Sequence, residues 1–308
     1  MSDNPRLSII VPVYNEEGNL EELYRRIKSS LTHSHEIIFI DDGSNDNSFK
    51  TLSSLHEKDP VVKVIRFSRN FGHMFALSAG LDFAAGEAAI TLDADLQHPP
   101  EIIPKLIQKW EDGYDIVNTI RKETKDADLI KEQGANLFYW LANKMTKNKL
   151  SPGSADFRLL NRKAVDSLNQ FHERARFLRG LISYVGFNQA FIEYKAEART
   201  AGKSKYSFHK MLSFALDGIT SFSTFPLRLA TYLGLATAFL AFVYLIYAIF
   251  VRMFTNQAIE GWASVLTAVL FIGGIQLIFL GIIGEYLGRV YEETKGRPLY
   301  IINDKLGF

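Results

Sequence analysis

The chain has 308 residues, with Lys+Arg 35 against Asp+Glu 34, and the resulting net charge of +1 offers no basic field for nucleic acid. It has no cysteine, which excludes disulfides and thiolate metal sites and fits a reducing compartment. Mean hydropathy is -0.01, an average that hides apolar stretches concentrated near the C-terminus.

The polar run Met1–Arg6 leads straight into a strand pattern, so no cleavable signal peptide is expected. Over the first 120 residues short apolar runs alternate with amphipathic helical patterns, which predicts an α/β domain with a mainly parallel sheet. Strands are expected at 7–13, 36–41, 61–67, 88–92 and 115–119, and helices at about 17–31, 47–57, 72–85 and 100–111. No G-x-G-x-x-G follows the first strand, which argues against a dinucleotide-binding oxidoreductase. Further on, a helix is expected near 129–146, an apolar run at 155–160, a helix near 174–185 and a strand at 190–196. Residues 200–206 (TAGKSKY) read as a flexible basic loop. Phe208, Met211, Leu212, Ala215, Leu216, Ile219 and Phe222 then recur at helical spacing, which predicts an interfacial amphipathic helix over 207–226.

Two uncharged segments follow, 229–251 (LATYLGLATAFLAFVYLIYAIFV) and 262–284 (WASVLTAVLFIGGIQLIFLGIIG), within a region 227–287. Each has roughly 23 residues, or about 34 Å of helix, enough to cross a hydrocarbon core with some tilt. Neither shows the polar stripe of a buried core helix, and neither carries an ionisable residue of the kind that lines a transport path. The short link predicts a hairpin in a multi-pass membrane protein. Lys210, Arg228, Arg289, Lys295 and Arg297 flank one side against Arg252 and Glu260 in the link, which puts the 1–206 domain, the 288–308 tail and both termini in the cytoplasm.

In open α/β sheets ligands bind beyond the carboxyl ends of the strands, and three polar clusters fall there. Asp93-Ala94-Asp95 ends the fourth strand and is followed by Gln97. Carboxylates two residues apart at a strand end can both turn to one hard cation, and Gln97 can add an amide oxygen. A bare D-x-D is common as a solvated turn; its place at a strand end is what recommends it. Asp41-Asp42-Gly43-Ser44 reads partly as a turn and helix cap, which leaves two acids after an apolar strand without a structural reason. A carboxylate there can accept the N–H groups of a nucleobase. Pro12-Val13-Tyr14-Asn15-Glu16 adds an aromatic wall and another acid. The seven histidines show no pattern for a metal or a nucleophile and read as structural or solvated.

Together LSIIVPVYNEEGNL, EIIFIDDGSNDNS, SRNFGHMFALSAGLDFAAGEAAITLDADLQHPP and the GKSKY loop resemble the family-two inverting glycosyltransferases with the Rossmann-like GT-A fold. The two apolar segments and the closing GEYLGRVYEETKGRPLY resemble its polyprenyl-phosphate branch, of the bactoprenol glucosyltransferase type and related to dolichol-phosphate mannose synthase. The resemblance covers essentially the whole chain. It implies that Pro12, Tyr14, Glu16 and Asp42 hold the nucleoside, that Asp93 and Ala94 meet the donor diphosphate or ribose, and that Asp95 and Gln97, with Asp93 alongside, bind Mg²⁺ or Mn²⁺. It further implies that Arg121 faces a phosphate, that Arg199 and Lys205 close over the diphosphate, and that Asp156 and Arg158 lie near the acceptor pocket. The expected reaction moves a hexose, UDP-glucose being the first donor, to polyprenyl phosphate at the cytoplasmic membrane. No Gln-x-x-Arg-Trp occurs, which separates the chain from processive polysaccharide synthases. No feature sets the oligomeric state, so a homo-oligomer stays open.

Overall fold

The computed structural model describes residues 5–122, 154–174, 176, 178–195, 224–254 and 261–308. The chain divides into two compact units, Met1–Ala215 with Arg297–Phe308, and Leu216–Gly296.

The first unit is built on an eight-stranded mixed sheet. Its strands are β1 Leu7–Val13, β2 His35–Asp41, β3 Val62–Phe67, β4 Ala88–Thr91, β5 Ile116–Lys122, β6 Ser154–Asn161, β7 Gln189–Lys195 and β8 Ile302–Leu306, in the order β7-β5-β6-β4-β1-β2-β3-β8. The first four strands are mutually parallel, and β6 runs antiparallel between β4 and β5. Helices α1 Leu20–Ser30, α2 Ser48–Lys58, α3 His73–Phe83 and α4 Ile103–Glu111 cover its faces, joined further on by α5 Arg162–Asn169 and α6 Leu178–Val185. The expected α/β class and its first four strand–helix pairs are therefore observed, with ends shifted by a few residues.

Burial explains the pattern. β1 and nearly all of β2 are buried on both sides, as parallel strands between helices must be. Helix α1 turns Leu20, Leu23 and Ile27 inward, each side chain contributing about 1.5–3 kcal/mol by leaving water. Helix α3 packs tightly on the sheet, where a Cβ on Gly80 would stand 2.1 Å from Ile10 Cγ2. Only glycine permits that approach.

Two elements were not expected. Asn161 caps α5 by accepting the Ala164 amide at 2.9 Å, a local signal that the short, polar helix obscured. Within the stretch expected as a tail, Ile302–Leu306 forms β8 and pairs antiparallel with β3. It covers what would otherwise be an open sheet edge.

The second unit consists of α7 Phe225–Phe254 and α8 Trp262–Thr294, both longer than the uncharged segments that announced them. Phe225–Val251 and Thr267–Thr294 are long and apolar enough to cross a membrane, and Phe239, Leu240, Leu270 and Leu277 are exposed. The expected interfacial helix lies almost wholly outside the described residues.

Candidate active site

The strand order reverses beside β1, with β2 on one side and β4 on the other. In such sheets the ligand crevice lies outside the carboxyl ends of these strands, and the loops found there carry the polar clusters. Val13 pairs with Asp41, and the Asp42 amide donates to the Val13 carbonyl at 2.9 Å, which sets Tyr14 and Asp42 side by side. Pro12 is buried within β1, while the Tyr14 ring is 39% exposed, as a stacking surface must be. The two loops are laced together: the Asn15 amide donates to Ser44 Oγ at 3.0 Å, the Asn45 amide to Asn15 Oδ1 at 2.8 Å, and the Glu16 amide to Ser48 Oγ at 3.0 Å. Glu16 itself accepts from Asn19 Nδ2 at 2.7 Å.

Asp42 is buried, and its two oxygens accept the amides of Phe71 at 2.7 Å and Gly72 at 2.9 Å in the loop between β3 and α3. Burial pushes its carboxyl above the usual range, and these two amides only partly restore it. Gly43 makes the juxtaposition possible. Its φ is +69°, and a Cβ there would stand 2.4 Å from the Arg69 carbonyl carbon.

At the end of β4, the Asp93 amide donates to Nδ1 of His98, a buried ring stacked on Phe157 at 5.4 Å. The bond requires an unprotonated Nδ1. Asp93 Oδ1 is buried without a hydrogen bond and lies 3.4 Å from His73 Nε2. Leu96 takes a left-handed φ of 61°, uncommon for its side chain, so that the Gln97 amide can donate to Asp95 Oδ1 at 3.1 Å. Ala94 is buried between the two acids. Arg121, at the end of β5, reaches Gln97 Oε1 at 3.3 Å and so joins this turn. Among the described residues no group of three His, Asp or Glu converges as a metal site. An orphaned carboxylate oxygen beside a second carboxylate and an amide nevertheless fits a hard cation completed by ligand oxygens.

Below this turn lies a buried ion cluster on β6 and α6. Asp156 pairs with Arg158 at 3.0 Å, and with Arg179 at 2.9 Å. Burial raises the Asp156 carboxyl, but the charges of Arg179 and Arg158 outweigh that and hold it well below the carboxylate range. Burial likewise draws Arg158 down to about 10 against the pull of Asp156. His73 Nε2 is 4.0 Å from Asp156 Oδ2, so this ring stands between the strand-end acids and the cluster. Tyr194 of β7 sits edge-on to His98 and Phe157, and burial pushes its hydroxyl up to about 12.

Of the residues singled out in the sequence, Pro12, Tyr14, Glu16, Asp42, Asp93, Ala94, Asp95, Gln97, Arg121, Asp156 and Arg158 belong to these strand ends and their loops. Arg199 and Lys205 lie outside the described residues. The sequence reading missed Arg179 and the place of His73. The signal for His73 was its position at the start of a helix directly after the β3 loop; Arg179 offered none.

Residues 8–168 match the family model described as glycosyl transferase family 2, and residues 225–290 match that of the GtrB C-terminal hairpin. The chain belongs to glycosyl transferase family 2 and is a glycosyltransferase. Within that class its likeness runs the full length of particular relatives. It is 45% identical to an uncharacterized glycosyltransferase of Synechocystis sp., covering 98% of this chain and 96% of that one. It is 42% identical to the prophage bactoprenol glucosyl transferase homolog of Escherichia coli, over 96% and 98% of the two chains. With the bactoprenol glucosyl transferase of Shigella phage SfX the identity is 41%, over 97% and 99%.

Proposed function

We propose that the protein transfers a hexose from a nucleotide-sugar, UDP-glucose foremost, to a polyprenyl phosphate, with inversion at the anomeric carbon. The observation that carries this reading is the full-length similarity to proteins named bactoprenol glucosyl transferases, hairpin included. The site chemistry agrees with it. Tyr14 supplies a face for a base, and Asp42 a buried acceptor beside it. Asp93 and Asp95, with Gln97, would hold Mg²⁺ or Mn²⁺, which neutralises a diphosphate leaving group. Arg121 faces the same turn, and the family resemblance implies that Arg199 and Lys205 close over the diphosphate.

A phosphate acceptor, with a second pKa of about 6, is already ionised near neutral pH and needs no general base. The protein must instead bring two anions together in line, which is electrostatic work. Asp156 suits that role better than proton transfer. Its carboxyl is strongly acidic and engaged on both oxygens, so it acts as the counter-charge that orients Arg158 and Arg179 beneath the site.

The two apolar helices form a hairpin across the bilayer, with the catalytic domain and both chain ends on the cytoplasmic side. The basic flanks support this. The domain division is correspondingly a catalytic domain over 1–206, an interfacial segment over 207–226, the hairpin over 227–287 and a returning tail over 288–308.

The test is a donor panel. Full-length protein in lipid is given UDP-glucose, another UDP-hexose or GDP-mannose, with and without polyprenyl phosphate, and nucleotide diphosphate release is scored. Release from UDP-glucose that depends on the acceptor is expected; preference for GDP-mannose would replace the donor assignment.

A further inference from the structure

The closing Arg297-Pro298-Leu299-Tyr300 has no role in the site as described, although it resembles the family pattern. We propose that Tyr300 is a positioning residue for the nucleoside end of the donor, acting through the loop that fixes Asp42; this rests on the donor reading above.

Residues 68–72 join β3 to α3, and Ser68, Arg69 and Asn70 are exposed. A loop with so little burial of its own must be held from outside. Its first amide, that of Ser68, donates to the Ile301 carbonyl at 3.0 Å. Its last side chain, Phe71, meets Phe67 edge-on with centroids 5.7 Å apart, and Phe67 in turn stacks on Tyr300 at 5.0 Å with planes 15° apart. The Tyr300 hydroxyl donates to Asp82 Oδ2 at 2.7 Å, near the far end of α3, the helix that begins directly after the loop. Residues 300 and 301 therefore bracket the loop at its origin, its aromatic anchor and its following helix.

On its other side the loop is the support of the nucleoside pocket. Phe71 and Gly72 give Asp42 both its hydrogen bonds, and the Arg69–Asn70 backbone packs so tightly on Gly43 that no Cβ fits. Packed and hydrogen-bonded contacts thus run without a gap from Tyr300 to Asp42, as coupling between separated residues requires. The ring stack aims Phe71; the hydroxyl fixes the ring. Losing the stack frees Phe71 and with it the amides that orient Asp42.

The experiment measures binding of UDP with Mn²⁺ to the full-length protein in detergent, alongside thermal unfolding. Tyr300→Ala is expected to weaken UDP about three- to tenfold, the loss of one aromatic pair, and to raise KM for the nucleotide-sugar with kcat little changed. Tyr300→Phe keeps the stack and should bind within about twofold of wild type. Tyr300→Leu, which fills the space without a ring, serves if the alanine variant does not fold and should resemble it. Phe308→Ala is the control: it removes an edge-on contact with Phe83 at the far end of α3 and leaves the Tyr300 contacts with Phe67 and Asp82 in place. It should lower the unfolding temperature while leaving UDP binding intact. Equal weakening by Phe308→Ala and Tyr300→Ala, or no weakening by either Tyr300→Ala or Tyr300→Leu, overturns the positioning role. A wild type that binds none of UDP, GDP and ADP overturns the donor reading and this inference with it.

Discussion

Arg179 closes its fork on Asp156, with Nε 3.1 Å from Oδ1 and a terminal nitrogen 2.9 Å from Oδ2. This bond ties α6 to the sheet at the strand that carries Arg158, and it sets what charge stands beneath the strand-end acids. Asp156→Asn removes the carboxylate charge that two guanidinium groups share, one of them almost wholly buried. Breaking a buried pair in this way costs about 3–5 kcal/mol, so a clear fall in unfolding temperature is expected. Arg179→Lys should lose part of this, because an ammonium cannot span both oxygens.

The same cluster predicts an acid limb of stability. The folded Asp156 carboxyl titrates below its unfolded value, so its contribution is present above the ordinary carboxylate pKa near 4 and is lost as pH falls below it. In that window the unfolded chain binds more protons. Stability profiles of wild type and Asp156→Asn should therefore converge on acidification below about pH 4. Parallel profiles would mean that the pair does not form.

Asp42 gives a more local prediction. An asparagine can accept only one of the Phe71 and Gly72 amides, and its own N–H₂ must face the other. Asp42→Asn should cost about tenfold or more in UDP affinity, the loss of one bond to an ionised acceptor. Calorimetry with UDP checks this, and wild-type affinity in the variant would detach Asp42 from the nucleoside.

The strand-end acids predict linked binding. Two carboxylates and an amide are a partial set for Mg²⁺ or Mn²⁺, which take remaining ligands from phosphate and water. Mn²⁺ should bind weakly alone and at least about tenfold tighter with UDP, with reciprocal tightening of UDP by Mn²⁺. Asp95→Asn or EDTA should abolish transfer. Equal Mn²⁺ affinity with and without UDP would point to a site independent of the nucleotide.

Cutting the chain after Pro226 removes the hairpin together with β8, so the edge of β3 is laid bare. The truncated domain should be less soluble and bind UDP poorly. Joining 297–308 to it through a short linker should restore both, which turbidity and UDP titration can follow.

How much of this was legible in the sequence depends on how local each signal was. β1 to β4 and their helices announced themselves because a buried parallel strand is a continuous apolar run and its helix keeps one apolar face. Asp42 and Asp93 were legible because each ends such a run. β8 was not: IINDKL alternates only weakly, and its partner lies far back in the chain at β3, beyond the two apolar helices. The Asp156–Arg179 bond and the place of His73 were equally hidden, since each joins elements that only the folded sheet brings together. What sequence conveys well here is which residues end the buried strands; what it conveys poorly is long-range pairing.

Transfer of one sugar to a lipid phosphate can be tested by isolating the lipid product formed from labelled UDP-glucose and polyprenyl phosphate by the full-length protein, and by assigning its linkage by NMR. One glucose per lipid is expected, joined through a single phosphate in the β configuration, with one UDP released for each. A polymer of glucose on the lipid, an α linkage, or UDP release that ignores the acceptor would contradict it.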